Sequence, residues 1–131
     1  MTLDLEVLGS VPAAAPSAAQ TRELVAAALA TAGIDSGHVA IEYVDAARIA
    51  ELNREHRAED EPTDVLSFPI DGAEPIDGPE QARELGDIVV CPAHTADLRE
   101  AIVHGALHLI GMDHETDDGE MLARQAEILG R

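Results

Sequence analysis

The sequence predicts an α+β fold: a small mixed sheet of about four strands packed with about four helices. Two observations carry that expectation. Period-two and helical apolar patterns interleave along the chain in the order β-α-β-α-β-β-α-α. One apolar run, Ile88-Val89-Val90, lacks polar alternation and reads as a strand covered on both faces. The 131 residues are the size of one domain, taken here as 1–131. A chain of that length can bury a real core.

Each element has its own signal. Leu3, Leu5 and Val7 alternate with Asp4 and Glu6, the period of a half-buried strand. Val11 to Ser17, with Pro12 and Pro16, reads as a connector whose Ser17 can cap the next helix. From Ala18 to Ala32, Leu24, Val25, Ala28 and Leu29 recur at helical spacing, and Gly33 supplies a stop. His38 to Val44 is a strand with Val39, Ile41 and Tyr43 on one face. Asp45 is a good N-cap for a short helix through Ile49, Leu52 and Asn53. Val65 to Ile70 is a β-rich run with Pro69 near its end, and Asp71 to Glu80 is a polar, Gly/Pro-rich loop. After the apolar strand, Pro92 is expected to begin a helix carrying Leu98, Ile102, Leu107 and Leu109. A last helix is expected over about Asp118 to Leu129, ending at Gly130.

Composition narrows the function classes. Hydrophobic residues at 46% argue against wholesale disorder. Aromatics at 2% disfavour the stacking platforms of single-strand-binding proteins. A single cysteine, Cys91, excludes a disulfide framework and suits a reducing interior. Acids outnumber bases 26 to 8, every base is Arg, and the formal charge of -18 excludes bulk electrostatic attraction of nucleic acid. Met1-Thr2-Leu3-Asp4 lacks the pattern of a signal peptide, and no apolar run reaches the roughly 18 residues of a membrane span. The expectation is a cytoplasmic protein with no membrane partner.

The chemistry concentrates in His104-Gly105-Ala106-Leu107-His108-Leu109-Ile110-Gly111-Met112-Asp113-His114. On a helix, residues four apart differ by roughly 40° and 6 Å, so His104 and His108 can converge on one ion. A continued helix would turn His114 about 240° away from His108. Gly111 can adopt a left-handed conformation, end the helix and turn the chain back. His104, His108 and His114 therefore suit one Zn²⁺ with a fourth position open to water. Asp113, or Glu115 near it, could accept a proton from a ligand's second ring nitrogen. The spacing also matches the metzincin proteases. Those need Glu directly after the first His as general base, where this chain has Gly105. Peptide hydrolysis by that route is not expected.

This segment resembles the signature of the YbeY family, the single-strand-specific metalloendoribonucleases of bacterial rRNA maturation. Two further blocks are similar and fall in the same order: Pro62-Thr63-Asp64-Val65-Leu66-Ser67-Phe68-Pro69 and Leu85-Gly86-Asp87-Ile88-Val89-Val90. Leu52-Asn53 followed by Arg57 matches the pattern upstream of the Thr-Asp block. The stretch between Val90 and His104 is shorter than the family pattern, and Met112 stands where Tyr is frequent. The resemblance implies the family's fold with a zincin-like metal helix. It also implies one Zn²⁺ per chain on His104, His108 and His114, and cleavage of single-stranded rRNA on a small-subunit particle or with its associated proteins. The expected process is 16S 3′-end maturation and ribosome quality control.

Within that reading Arg57 is the expected catalytic and substrate-binding cation, since a guanidinium engages two phosphate oxygens at once. Arg54, one turn earlier, is a candidate assistant. Asp64 could cap a turn, support a ligand or hold Arg57. Thr63, Ser67 and Asp87 read as fold-specifying polar residues near the cleft, His56 and His94 as surface residues (His94, at a helix start, could also face the site), and Cys91 as packing. Two alternatives stand beside the nuclease. One is a metallohydrolase of another substrate, such as a peptidase with a base supplied elsewhere. The other is a non-catalytic ribosome-associated factor with a structural zinc, closed by Cys91, His94 or Asp113.

Overall fold

The strands and helices follow one another as the apolar patterns predict. A computed structural model describes residues 2–131 and contains β1 (Thr2–Gly9), α1 (Ala18–Ala30), β2 (Ser36–Tyr43), α2 (Ala46–Arg57), β3 (Val65–Pro69), β4 (Glu84–Val90), α3 (Leu98–Leu109) and α4 (Glu120–Leu129). Short 3-10 turns lie at Glu80–Ala82 and Pro92–His94. The sheet order is β1-β2-β4-β3: β1, β2 and β4 run parallel, and β3 returns antiparallel along β4 as an edge strand. The sheet is thus mixed.

Side-chain caps start α1, α2 and α3. Ser17 and Gln20 form a reciprocal capping box at α1. The Asp45 carboxylate accepts from the Arg48 amide at the start of α2. The expectation of one helix from Pro92 is corrected. Pro92 opens only a 3-10 turn, the chain then extends, and α3 starts after Asp97, whose carboxylate accepts from the amides of Arg99 and Glu100. Proline suits the first position of either helix type, so its presence does not set the length that follows.

Both faces of the sheet are covered. On one, Val39, Ile41, Ile88 and Val90 pack with Val25 and Leu29 of α1 and Ile102, Ala106 and Leu107 of α3. On the other, Ile49 of α2 closes over Leu66, Val89 and Cys91. Successive residues of β4 therefore serve opposite cores, as a run without polar alternation requires. Burial of each such Leu or Ile contributes about 1.5–3 kcal/mol before entropy is counted.

Gly105 sets how closely α3 approaches the sheet. A Cβ there would lie 2.6 Å from Cγ2 of Ile88 and 3.2 Å from Cγ2 of Val65. The Ser67 hydroxyl donates to the Gly105 carbonyl at 2.8 Å, tying the edge strand to the middle of α3. A larger residue would lift α3 and with it the histidines on its outer face.

Candidate metal centre

His104 and His108 sit one turn apart on α3, with ring centroids 4.7 Å from each other. The helix then ends as the sequence requires. Gly111 has φ +93°, its amide donates to the His108 carbonyl, and the Met112 amide donates to the Leu107 carbonyl. These paired bonds are a Schellman motif, and they reverse the chain. His114 comes back to centroid distances of 5.1 Å from His104 and 5.7 Å from His108. One nitrogen from each of the three rings can be chosen so that all lie within 4.8 Å of one another.

Hydrogen bonds decide which nitrogens are free. The Nδ1 of His104 donates to Gln125 Oε1 at 2.8 Å, and the Nδ1 of His108 donates to the Met112 carbonyl at 2.9 Å. In its neutral form each ring then carries its lone pair on Nε2, and the two Nε2 atoms face each other at 3.1 Å. Two bare lone pairs at that distance repel unless a shared proton or a metal ion lies between them. Two nitrogens about 2.0–2.1 Å from a tetrahedral Zn²⁺ would be about 3.3 Å apart, so the His104–His108 pair fits such an ion, and His114 offers a nitrogen within 4.8 Å of both. Burial above all, with the neighbouring His104, holds the His108 pKa below its ordinary 6.5. That direction favours the neutral ring a ligand must offer.

The histidines open onto a cleft of about 730 Å³. The edge strand β3 lines it along Val65 to Pro69, and the Gly111–Glu115 turn closes another side. Arg57 lies at the C-terminal end of α2 and reaches this cleft, the one arginine among its lining residues. Its guanidinium is half exposed and only loosely paired, 3.9 Å from Glu59. Arg54 is not in the lining; it pairs with Asp60 at 3.4 Å on the exposed side of α2.

Asp64 and Asp113 both reach the cleft, but neither carboxylate holds a histidine. Asp64 Oδ1 accepts from the Val65 amide at 2.8 Å, and Asp113 Oδ1 accepts from the Glu115 amide at 3.0 Å. The groups that hold the ring nitrogens are Gln125 and the Met112 carbonyl. Sequence reasoning missed both. Gln125 arrives from α4 by tertiary packing, and a backbone carbonyl carries no residue signal. The exposed His56 also joins the lining, its ring edge-on to Phe68 with centroids 4.7 Å apart. His94 lines a neighbouring cavity of about 360 Å³ on the Gln125 side of His104. Cys91 is fully buried within the α2-side core.

Fold and site together define a class: an α+β protein whose helix and following turn bring three imidazoles to the floor of an open cleft. The family model "Endoribonuclease YbeY" matches residues 13–131. The Endoribonuclease YbeY of Bacillus cytotoxicus is 37% identical over 128 residues, covering 83% of this chain and 82% of that protein. That of Bacillus cereus is 38% identical over 113 residues, or 72% of each. A solution structure of a Thermotoga maritima protein covers 95% of this chain and 86% of its own, at 27% identity and TM-score 0.48. The chain belongs to the YbeY endoribonuclease family, a family of metal-dependent nucleases that break phosphodiester bonds.

Proposed function

We propose that residues 1–131 act as one YbeY-like metallohydrolase domain, a zinc-dependent endoribonuclease specific for single strands. Its substrate is small-subunit rRNA, cut in the cytoplasm during 16S 3′-end maturation and quality control of the ribosomal particle. The observation that carries this reading is the convergence of His104, His108 and His114, two of their ring nitrogens 3.1 Å apart, beside a cleft whose one arginine is Arg57.

In this mechanism His104, His108 and His114 hold the ion through one nitrogen each. Bound there, Zn²⁺ supplies Lewis acidity toward a phosphoryl oxygen and makes water a stronger acid near neutral pH. Gln125 and the Met112 carbonyl keep the His104 and His108 rings in the tautomer that ligation needs. Arg57 engages the scissile phosphate and meets the charge that grows on its oxygens during reaction. Arg54, ion-paired outside the cleft lining, has at most a remote role along the strand. Asp64 and Asp113 shape the backbone on either side of the cleft through their amide bonds.

Arg57→Ala should retain metal yet slow cleavage by about a hundredfold. Arg57→Lys should rescue poorly, because a point charge cannot reproduce the two-pronged contact. Full activity in Arg57→Ala would remove it from the mechanism. The reading as a whole is tested by cleavage of three substrates: an isolated single strand, the same sequence in a duplex, and small-subunit particles. A His108→Ala control excludes contaminating nuclease. Slow cleavage of the free strand, little of the duplex and faster cleavage on particles is expected, because a chain of charge -18 repels free RNA. Zinc-loaded protein that cuts no RNA would favour a structural metal instead.

A further inference from the structure

The wall of the cleft is the open edge of β3, and the sheet register states which backbone groups it offers. The Cys91 amide donates to the Asp64 carbonyl, and 64 and 91 fall in the register that pairs Val65 with Val90. Asp64 is therefore bonded toward β4, as are alternate residues after it, Leu66 and Phe68. A bond on the far side of β4 agrees: the Val44 amide donates to the Val90 carbonyl, so Val90 points its backbone toward β2 and Val89 points toward β3. The backbone groups of Val65, Ser67 and Pro69 consequently face away from the sheet, along the cleft that these residues line.

That edge is already modified. The Asp64 carboxylate takes up the Val65 amide, and Pro69 has no amide hydrogen. What remains is one free donor, the Ser67 N–H, between the carbonyls of Val65 and Ser67, with the Pro69 carbonyl beyond. No partner for the Ser67 amide is found among the described residues outside the sheet ladder. A protein strand adding to this edge would need the donors that Asp64 and Pro69 remove. A phosphate would meet mostly carbonyl oxygens of its own sign. A Watson–Crick edge, which presents a donor and an acceptor side by side, matches a carbonyl next to an N–H.

We propose that the open edge of β3, through the Ser67 N–H and the Val65 carbonyl, binds the Watson–Crick edge of an unpaired nucleobase close to the cleaved bond. The proposal rests on the endoribonuclease reading and supplies its physical source of single-strand preference: in a duplex these base edges are already engaged. Base identity is read weakly, because each base carries a donor and an acceptor on that edge.

The test needs no mutation at first. A set of short single-stranded RNAs carries N3-methyluridine at one position each, which blocks the Watson–Crick edge, with 5-methyluridine at the same positions as control. Binding is followed by fluorescence anisotropy and cleavage by gel. At one position beside the cut, N3-methylation should weaken binding and cleavage about tenfold, whereas 5-methylation should not. Ser67→Pro deletes the donor at an edge position where proline is tolerated, and Ser67→Ala matches its loss of the hydroxyl. Ser67→Pro should fall about tenfold below Ser67→Ala and lose its sensitivity to N3-methylation. Cleavage indifferent to N3-methylation at every position, or equal rates in the two variants, would overturn this proposal while leaving the nuclease intact. Competition by an extended peptide, abolished in Ser67→Pro, would assign the edge to a protein strand and overturn it too. Failure of wild type to cut any RNA would overturn the endoribonuclease reading and this proposal with it.

Discussion

His104 and His108 each tie Nδ1 to an oxygen and turn Nε2 toward the other ring, so the partners of the tied nitrogens orient the rings on which metal binding would depend. Gln125→Ala should weaken metal affinity by about 10–100-fold without disturbing the fold, as measured by competition with a coloured chelator. Unchanged affinity would mean that the His104 ring is oriented by packing alone. The three histidines were legible in the sequence because helix geometry and one glycine determine where their rings go. Gln125 was not, because α4 reaches His104 only once the helices have packed. Arg57 stands out in the sequence by its place in the matched block, with Arg54 a turn earlier as its candidate assistant. Their separation into a paired surface residue and a cleft residue depends on how α2 lies across the sheet, which one sequence does not encode locally.

The turn after α3 is the element on which the centre depends. Its Schellman bonds return His114 to the site and also carry the Met112 carbonyl over His108. A Cβ at Gly111 would meet nothing within 4 Å, so a substitution there is penalised by its φ of +93° and not by a clash. Gly111→Val should lose about 1–2 kcal/mol of stability in denaturant titration and bind metal more weakly than wild type. Wild-type affinity in that variant would separate the turn from the metal. The order of elements was readable from apolar periodicity, since both cores draw on alternating positions of the same strands. The start of α3 was not, because Pro92 suits the first position of a 3-10 turn as well as of an α-helix, and the α-helix opens only at the Asp97 cap.

Across the whole molecule the -18 charge opposes compaction, and added salt should raise the thermal midpoint by screening that repulsion. His38 offsets part of it locally. It sits on β2 between Glu84 at 2.8 Å and Glu6 at 3.2 Å, joining three neighbouring strands. Burial alone would lower its pKa, but the Glu84 bond and charge, helped by Glu6 and Asp4, raise it above 6.5. The stabilisation it supplies is fully present below the unfolded value of about 6.5 and is lost as pH rises through the raised folded value. The gap in thermal midpoint between wild type and His38→Gln should therefore be wide at roughly pH 6 and narrow at roughly pH 9. A gap independent of pH would mean that His38 acts as a neutral hydrogen-bonding residue.

The central claim is that one ion on His104, His108 and His114 drives RNA cleavage, and the most direct measurement is a titration. Protein stripped by chelator is given back Zn²⁺ in steps while cleavage of a single-stranded RNA is followed. Activity should be absent at the start, rise in proportion to added metal and level off at about one equivalent per chain, with His108→Ala silent throughout. Undiminished cleavage by the stripped protein, or equal activity in His108→Ala, would contradict the account.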